Sequence, residues 1–502
     1  MKEHNQQVET KKRSLWSIII ASIYGLAAVA FLVALFILDM LPLTYFAAVA
    51  VVMVLLSALV VRGLIFSKHH GKKQAAMAVV AAIMALALIA GIAMISGTMN
   101  FFNDILAGGQ SYDYHVVVKG DSKYAEITDI ENETVSVLDL QSTTQEAAKA
   151  ELTKEVAVMF KSEDTLADLT ENLLDGKTNV LLMSSAYYDM AIEEGKGFTE
   201  ETVRILKTYK ITVENTTASS TLDPTKDAFS VYVSGIDTTG SISNASRSDV
   251  NMVMTVNPTE RKILLTSIPR DYYVTLHSYG ALDKLTHAGI YGPEESKSTI
   301  EDLLGMDIQY YLKVNFTTVT SLVDALGGIT VNSDYAFTSR DGFYYNEGEN
   351  YLNGEEALSF VRERKAFSEG DRQRVKNQQA VISGIINKAT GSTAILTQYN
   401  DLLVAIADNI EISMTAKDMK SLVKMQLADM RGWDIETCSL DGTGSTEAVY
   451  SIPGAYAYVM IPDQASIDEV KNQISGVING TAAADASDAS AEGDGALAEA
   501  EE

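Results

Sequence analysis

Three apolar runs, residues 15–38, 43–66 and 75–95, fill most of the first hundred positions of this 502-residue chain. Each is close to the roughly 20 residues a helix needs to cross a bilayer, so they read as three transmembrane helices. A cleaved signal peptide is the alternative for the first run, but that run is too long and two more follow it. Lys2, Lys11, Lys12 and Arg13 precede the first span, and Lys68, Lys72 and Lys73 fill the loop between the second and third. Cations mark the cytoplasmic side, whereas the turn Asp39-Met40-Leu41-Pro42 has no Lys or Arg and suits the outer face. An odd number of spans then exports everything after residue 99. Arg62, near the inner end of the second span, snorkels to the interface and receives no role.

The exported part is long enough for two domains of ordinary size. A formal net charge of -27 repels phosphate backbones, which excludes nucleic acid as a partner for a broad surface and requires local basic residues wherever an anion binds. The single cysteine, Cys438, forms no intramolecular disulfide, so stability rests on the core, a bacterial rather than an animal habit for an exported protein. Residues 1–98 are therefore the membrane region, and 99–114, with Gly108, Gly109, Gln110 and Ser111, an exit linker. Residues 115–226 read as a small accessory α/β domain: a strand at 115–119, a helix at 144–160, a buried strand at 179–183 and a helix at 200–209. The polar stretch 216–227 is the boundary. A second α/β domain, 227–480, opens on an apolar strand at 229–235. Two more strands, 250–256 and 262–268, are joined by the turn Asn257-Pro258-Thr259-Glu260, and helices at 296–304, 318–326, 355–361 and 372–389 supply covering layers. The fold class expected is α/β, a helix-sheet-helix domain with a central mixed sheet. The Ala-, Ser- and Asp-rich tail 481–502 is expected to be disordered.

Four short stretches of the second domain place Arg and Asp at the ends of predicted elements. They are Gly235-Ile236-Asp237, Arg247-Ser248-Asp249, Ser267-Ile268-Pro269-Arg270-Asp271, and Arg362-Glu363-Arg364 with the following Gly370-Asp371-Arg372-Gln373-Arg374. Antiparallel strands joined by a tight turn bring their outer ends together, so Asp249 and Arg270 should be neighbours. On a helix Asp371, Arg374 and Gln378 share one face. One such Arg-Asp pair is ordinarily a surface salt bridge worth about 0–1 kcal/mol. The set fits a pyrophosphate and a divalent cation, because Arg binds phosphate oxygens bidentately and Mg²⁺ prefers carboxylate together with phosphate oxygen.

Those stretches, with Leu322-Val323-Asp324-Ala325-Leu326-Gly327-Gly328 and Asn353-Gly354-Glu355-Glu356-Ala357-Leu358 in order between them, resemble the LytR-CpsA-Psr family, and the three spans and accessory domain resemble its capsule-associated branch. The resemblance implies an extracytoplasmic phosphotransferase of a bacterial, Gram-positive cell membrane, with a possible pyrophosphatase side activity. Its donor would be an undecaprenyl-pyrophosphate-linked glycan, capsular or another anionic wall polymer, and its acceptor peptidoglycan; capsule biosynthesis proteins are further expected partners. It implies pyrophosphate binding by Arg247, Arg270, Arg362, Arg364, Arg374 and Gln378, metal ligation by Asp237 and Asp249 with Mg²⁺ (or Mn²⁺) as cofactor, and catalytic roles for Arg270, Asp249 and Asp371, one of the aspartates taking the acceptor's proton. Lys284-Leu285-Thr286-His287-Ala288 departs from the family's usual K-I-N-x-A, and His287 is given no role because an isolated histidine is more often structural. The Asp324 motif shapes a helix end and turn. Two other classes compete: a lipid-binding module that presents the carrier without catalysis, and a transcriptional regulator, which topology and acidity oppose.

Overall fold

The computed structural model describes residues 15–65, 72–107, 110–140, 142–213, 221–236, 242, 245–368, 370–391, 402, 405 and 409–480. The expected tail 481–502 and Asp237 lie outside them, as do residues 216–220 of the stretch proposed as the boundary. The chain divides into two compact units. The first holds the membrane region together with residues 416–430, and the second holds the rest.

In the first unit, helices α1 (Leu15–Leu38), α2 (Leu43–Ile65) and α3 (Lys72–Ala107) are each long and apolar enough to cross a membrane. Tyr24, Val60 and Leu64 pack between the helices, while other large side chains face outward, Leu26 and Leu43 being more than 70 % exposed, as suits helices surrounded by hydrocarbon. The helix Ala416–Asp429 belongs to the same unit, and its Lys424 Nζ lies 2.6 Å from Asp39 Oδ1 in the turn between α1 and α2.

The second unit contains two main sheets. Strands β1 (Gln110–Lys119), β2 (Thr134–Leu138), β3 (Met159–Glu163), β4 (Val180–Ser184) and β5 (Val203–Val213) form a mixed sheet in the order β3-β2-β4-β1-β5. Helix α4 (Thr143–Glu155) covers one face through Ala148 and Leu152, while α5 (Leu166–Leu174) and α6 (Ser185–Glu194) cover the other through Leu169, Leu173 and Met190. Burial on both faces explains the unbroken apolar runs of β1 and β4. Three local expectations change. The proposed linker is helical to Ala107 and β-strand from Gln110. The helix expected at 144–160 stops at Glu155, where Val156 adopts extended backbone and the chain enters β3. The helix expected at 200–209 is strand β5, because Val203, Ile205, Thr208, Tyr209, Ile211, Thr212 and Val213 are residues whose branched or aromatic side chains favour a pleated surface, and ten of its positions pair with β1.

The second sheet begins with β6 (Phe229–Ile236), β7 (Val250–Asn257) and β8 (Lys262–Ile268). After β9 (Tyr273–Thr275) and β10 (Leu282–Lys284) come α7 (Leu285–Ala288), α8 (Pro293–Leu304), β11 (Tyr310–Asn315) and α9 (Phe316–Ala325). Next are β12 (Ile329–Ser333), the two-residue β13 (Phe337–Thr338) and β14 (Tyr344–Tyr345), and β15 (Gly348–Leu352). Helices α10 (Gly354–Arg362) and α11 (Asp371–Gly391) precede β16 (Ile410–Ile412), β17 (Asp434–Ser439), β18 (Gly442–Ala448), β19 (Tyr456–Pro462) and α12 (Gln464–Asn479). The six-stranded order is β16-β11-β6-β7-β8-β17, with β11–β6 and β17–β8 parallel and the other three pairs antiparallel, the mixed sheet expected. Ile300 and Leu304 of α8 and Ile467 and Ile474 of α12 pack with Tyr232, Val253 and Leu264 on one face. On the other, α11 reaches the sheet through Gln379, whose Nε2 donates to the carbonyls of Leu265 (3.1 Å) and Cys438 (2.7 Å).

Register places the site. Asn251 pairs with Ile268, and the same register carried two residues further sets Asp249 opposite Arg270, beside the end of β6. Gly289, just after α7, lets that segment press against the backbone here, since a Cβ on it would stand 2.6 Å from the Ser246 carbonyl oxygen and 2.7 Å from the Ser248 nitrogen. Backbone cannot yield as a flexible side chain does. Gly289→Ala is therefore expected to destabilise the chain by on the order of 1–3 kcal/mol, measured by denaturant unfolding; an unchanged midpoint would show that the segment carrying Arg247 is not confined there.

Candidate functional site

A cavity of about 530 Å³ opens where β6 and β11 end and β7 begins, walled on its other side by α10, α11 and the loop between them. Its lining is of two kinds. Val233, Val314, Phe316, Val319, Val361, Val381, Ile382 and Ile385 supply an apolar wall. Eight Lys or Arg stand against five Asp or Glu, a surplus of three positive charges in a chain whose net charge is -27.

Each guanidinium is placed by an identifiable element. Arg247 and Asp249 flank Ser248, which is fully buried with its hydroxyl 3.0 Å from the Tyr232 hydroxyl and 2.7 Å from that of Ser234 on β6. Arg247 makes a fork with Glu193 at the end of α6, Nη1 to Oε2 at 2.7 Å and Nη2 to Oε1 at 2.5 Å. The pairing raises the Arg247 pKa against the effect of burial and lowers that of Glu193. Arg270 Nη1 donates to Asp249 Oδ1 at 2.8 Å. Burial disfavours the Arg270 charge, but Asp249 and Asp271 outweigh it and hold the group above the usual arginine range. Asp271 itself is 2.9 Å from Lys284 Nζ.

Arg374 behaves in the opposite way. Burial, with further repulsion from Arg270 and Arg364, pulls its pKa down although Asp371 lies 2.6 Å away. The Nε–H groups of both Arg270 and Arg374 are buried without a hydrogen-bond acceptor. Such groups are few in native proteins and each calls for an acceptor. Arg362 ends α10, its guanidinium stacked 4.7 Å from the Phe316 ring centroid, and Arg364 follows in the loop.

The structure thus brings Arg247, Asp249, Arg270, Arg362, Arg364, Arg374 and Gln378 to one cavity. Asp371 is not among the lining residues and instead holds Arg374, while Asp237 falls outside the described residues. Sequence reasoning missed Glu363, the middle residue of the Arg-x-Arg motif. Its Oε1 accepts from the backbone N–H groups of Arg364 (3.0 Å), Lys365 (2.7 Å) and Ala366 (3.0 Å), and its Oε2 from that of Arg340 (2.6 Å). Although burial works against the carboxylate, these four donors lower its pKa. It also missed Glu193, Arg340 and Asp341, which stand in none of the motifs singled out above, gave no role to Asp271 and Lys284 although both stand in such motifs, and set His287 aside as structural.

A family model described as the LytR_cpsA_psr family matches residues 197–476. The chain belongs to that family. It is 34% identical over 252 residues, 50% of this chain and 78% of the relative, to the polyisoprenyl-teichoic acid–peptidoglycan teichoic acid transferase TagU of Bacillus subtilis. The Enterococcus faecalis TagU is 37% identical over 219 residues, 43% of this chain and 71% of the relative. Among solved structures, B. subtilis TagU is 32% identical with a TM-score of 0.40, covering 50% of this chain and 97% of that one. TagT bound to LI-WTA is 28% identical with a TM-score of 0.41, covering 52% and 95%.

Two predictions follow the geometry. A carboxylate with a depressed folded-state pKa contributes stability that is present above its unfolded pKa and lost as pH falls through the folded one. Glu363 should therefore make the chain less stable as pH drops below the usual glutamate range, and Glu363→Gln should flatten that acid limb, read from urea midpoints between neutral and acid pH. Glu193→Gln removes the anion that occupies Arg247 at a half-exposed ion pair, so affinity for a polyprenyl pyrophosphate should rise by about two- to fivefold, measured by titration calorimetry; weaker binding would show that Glu193 serves to hold Arg247 in position.

Proposed function

We propose that this chain is an extracytoplasmic phosphotransferase that takes a glycan from an undecaprenyl-pyrophosphate carrier and joins it, as a phosphodiester, to a hydroxyl of peptidoglycan. The observation that carries the reading is the pair of buried, acceptor-less Nε–H groups on Arg270 and Arg374 in a cavity with a surplus of positive charge. Phosphate oxygens supply acceptors and negative charge together. The apolar wall suits the proximal isoprenyl units of the carrier, and the relatives' names give a polyisoprenyl-linked donor and a peptidoglycan acceptor. Capsular polysaccharide and teichoic acid present the same pyrophosphate to these residues, and the capsule-associated organisation of three spans and an accessory domain favours the former. Capsule biosynthesis proteins would then supply the donor.

Catalysis of this kind is positioning and charge stabilisation. Arg247, Arg362 and Arg364 would hold the two phosphates, and Gln378 would donate to a phosphate oxygen. Arg270 and Arg374 would meet the charge that grows on the bridging oxygen as the lipid phosphate departs. Asp371 orients Arg374. Asp249, and Asp237 beyond the end of β6, would hold Mg²⁺ or Mn²⁺. A cation held by two carboxylates would complete its shell with phosphate oxygens and water. When bound, such a cation supplies Lewis-acid stabilisation of the phosphoryl oxygens.

Full-length protein in lipid nanodiscs, given a polyprenyl-pyrophosphate glycan and peptidoglycan strands, should form product in the presence of Mg²⁺ and lose it on chelation. Arg270→Ala and Arg374→Ala should each lower kcat by about 10²- to 10³-fold, and Asp249→Ala should abolish the metal response. Tight donor binding with no turnover under any condition would instead make the chain a carrier-binding module.

A further inference from the structure

The transfer proposed above needs an acceptor for the proton of the attacking hydroxyl. Of the carboxylates singled out from sequence, Asp249 is held at 2.8 Å by Arg270, and Asp371, held at 2.6 Å by Arg374, does not line the cavity. His287 offers a different arrangement. It lies on α7, only 5 % exposed, and its residue forms part of the cavity wall. Its Nδ1 is 2.7 Å from Asp283 Oδ1, on a carboxylate that is wholly buried. The other oxygen, Oδ2, accepts from the Ser451 backbone N–H at 2.7 Å and from the Ser451 hydroxyl, which in turn lies 3.2 Å from the hydroxyl of Tyr291.

This network fixes the chemistry of the ring. A buried carboxylate whose oxygens are met by N–H and O–H donors behaves as an acceptor, so the histidine nitrogen facing it carries the hydrogen and donates. In the tautomer this bond selects, the lone pair lies on Nε2, the nitrogen that Asp283 does not engage. Backbone bonds tie α7 to the arginine segments, Ser248 N donating to the Thr286 carbonyl at 3.0 Å and Thr286 N to the Arg270 carbonyl at 2.9 Å. An imidazole oriented by a buried carboxylate, in the wall of a cavity rich in guanidinium, has the geometry of a general base.

We propose that His287 is the base of the transfer and Asp283 its positioning residue, an assignment that rests on the transferase reading. Nε2 takes the proton as the acceptor oxygen bonds to the glycan-bearing phosphorus. The bond from that phosphorus to the bridging oxygen breaks, and polyprenyl phosphate leaves with the electron pair, its charge met by Arg270 and Arg374. The proton passes from the imidazolium to solvent when product departs.

In the nanodisc assay, His287→Gln and His287→Ala should lower kcat by about 10²- to 10⁴-fold while the KM for the lipid donor stays within about twofold of wild type. Asp283→Asn should lower kcat less and leave the donor KM likewise unchanged. Thermal melts of the variants check the fold, and if His287→Ala melts early the glutamine variant, whose amide can keep a contact to Asp283, decides. A wild-type kcat in His287→Gln, or a loss confined to KM, overturns the assignment while leaving the transferase intact. A wild-type chain that binds donor and never turns over removes both readings.

Discussion

Guanidinium groups repel one another, and a cavity that gathers several of them stays folded only if each charge has a partner or a reason to lack one. Here the partners are graded. Arg247 has a full fork on Glu193, Arg270 has one carboxylate oxygen of Asp249, and Arg374 has Asp371 but remains destabilised by burial and by its like-charged neighbours. Of these three, the charge is least satisfied at Arg374, on the first turns of α11. An anion entering from solvent would gain most there, because it would relieve the electrostatic strain that folding leaves at that arginine.

The sheet makes this crowding possible. Residues two positions beyond a paired strand end are no longer committed to the ladder, yet their backbone is still set by it, so Asp249 and Arg270 meet by register rather than by chance. Ser248, between Arg247 and Asp249, is buried and bonded to two neighbouring strand residues, which fixes the direction of the side chains on either side. Opposite, one buried glutamate organises the loop that presents Arg364. Glu363 binds four backbone N–H groups from two segments, so that the flanking arginines are exposed while the residue between them is not. Rigid backbone lets flexible side chains converge.

This division explains what the sequence made legible. The strands 250–256 and 262–268 and the covering helices were readable because burial on both faces writes long apolar runs, and the Asp249–Arg270 contact was readable because a tight turn leaves one register. The strand Val203–Val213 was misread as a helix, since an edge strand with mixed polarity loses the alternation that identifies it, leaving only its β-branched residues as a signal. Glu363 was invisible in another way. A glutamate between two arginines looks like charge balance, and only the fold shows that its partners are backbone groups more than twenty residues apart. His287 was passed over because its partner Asp283 stands four residues away with no helical pattern joining them, and because Ser451, which completes the network, is 168 residues from that aspartate.

The carboxylate that the five-stranded domain contributes is more exposed than the one beside Arg270. Glu193 closes α6, its side chain 59% exposed, whereas Asp249 is 17% exposed. Ion pairs in high dielectric are worth little and exchange readily, while half-buried ones hold geometry. The pair that includes Asp249 thus belongs to the scaffold of the site, and the pair that includes Glu193 is the one a phosphate could replace at small cost, because Arg247 keeps its backbone anchor at Ser248 when the carboxylate is gone. A five-stranded domain with no chemical cluster of its own consequently still reaches the cavity. In the transfer proposed above it would set how strongly one of the arginines competes for an incoming anion, through a single carboxylate at the end of a helix.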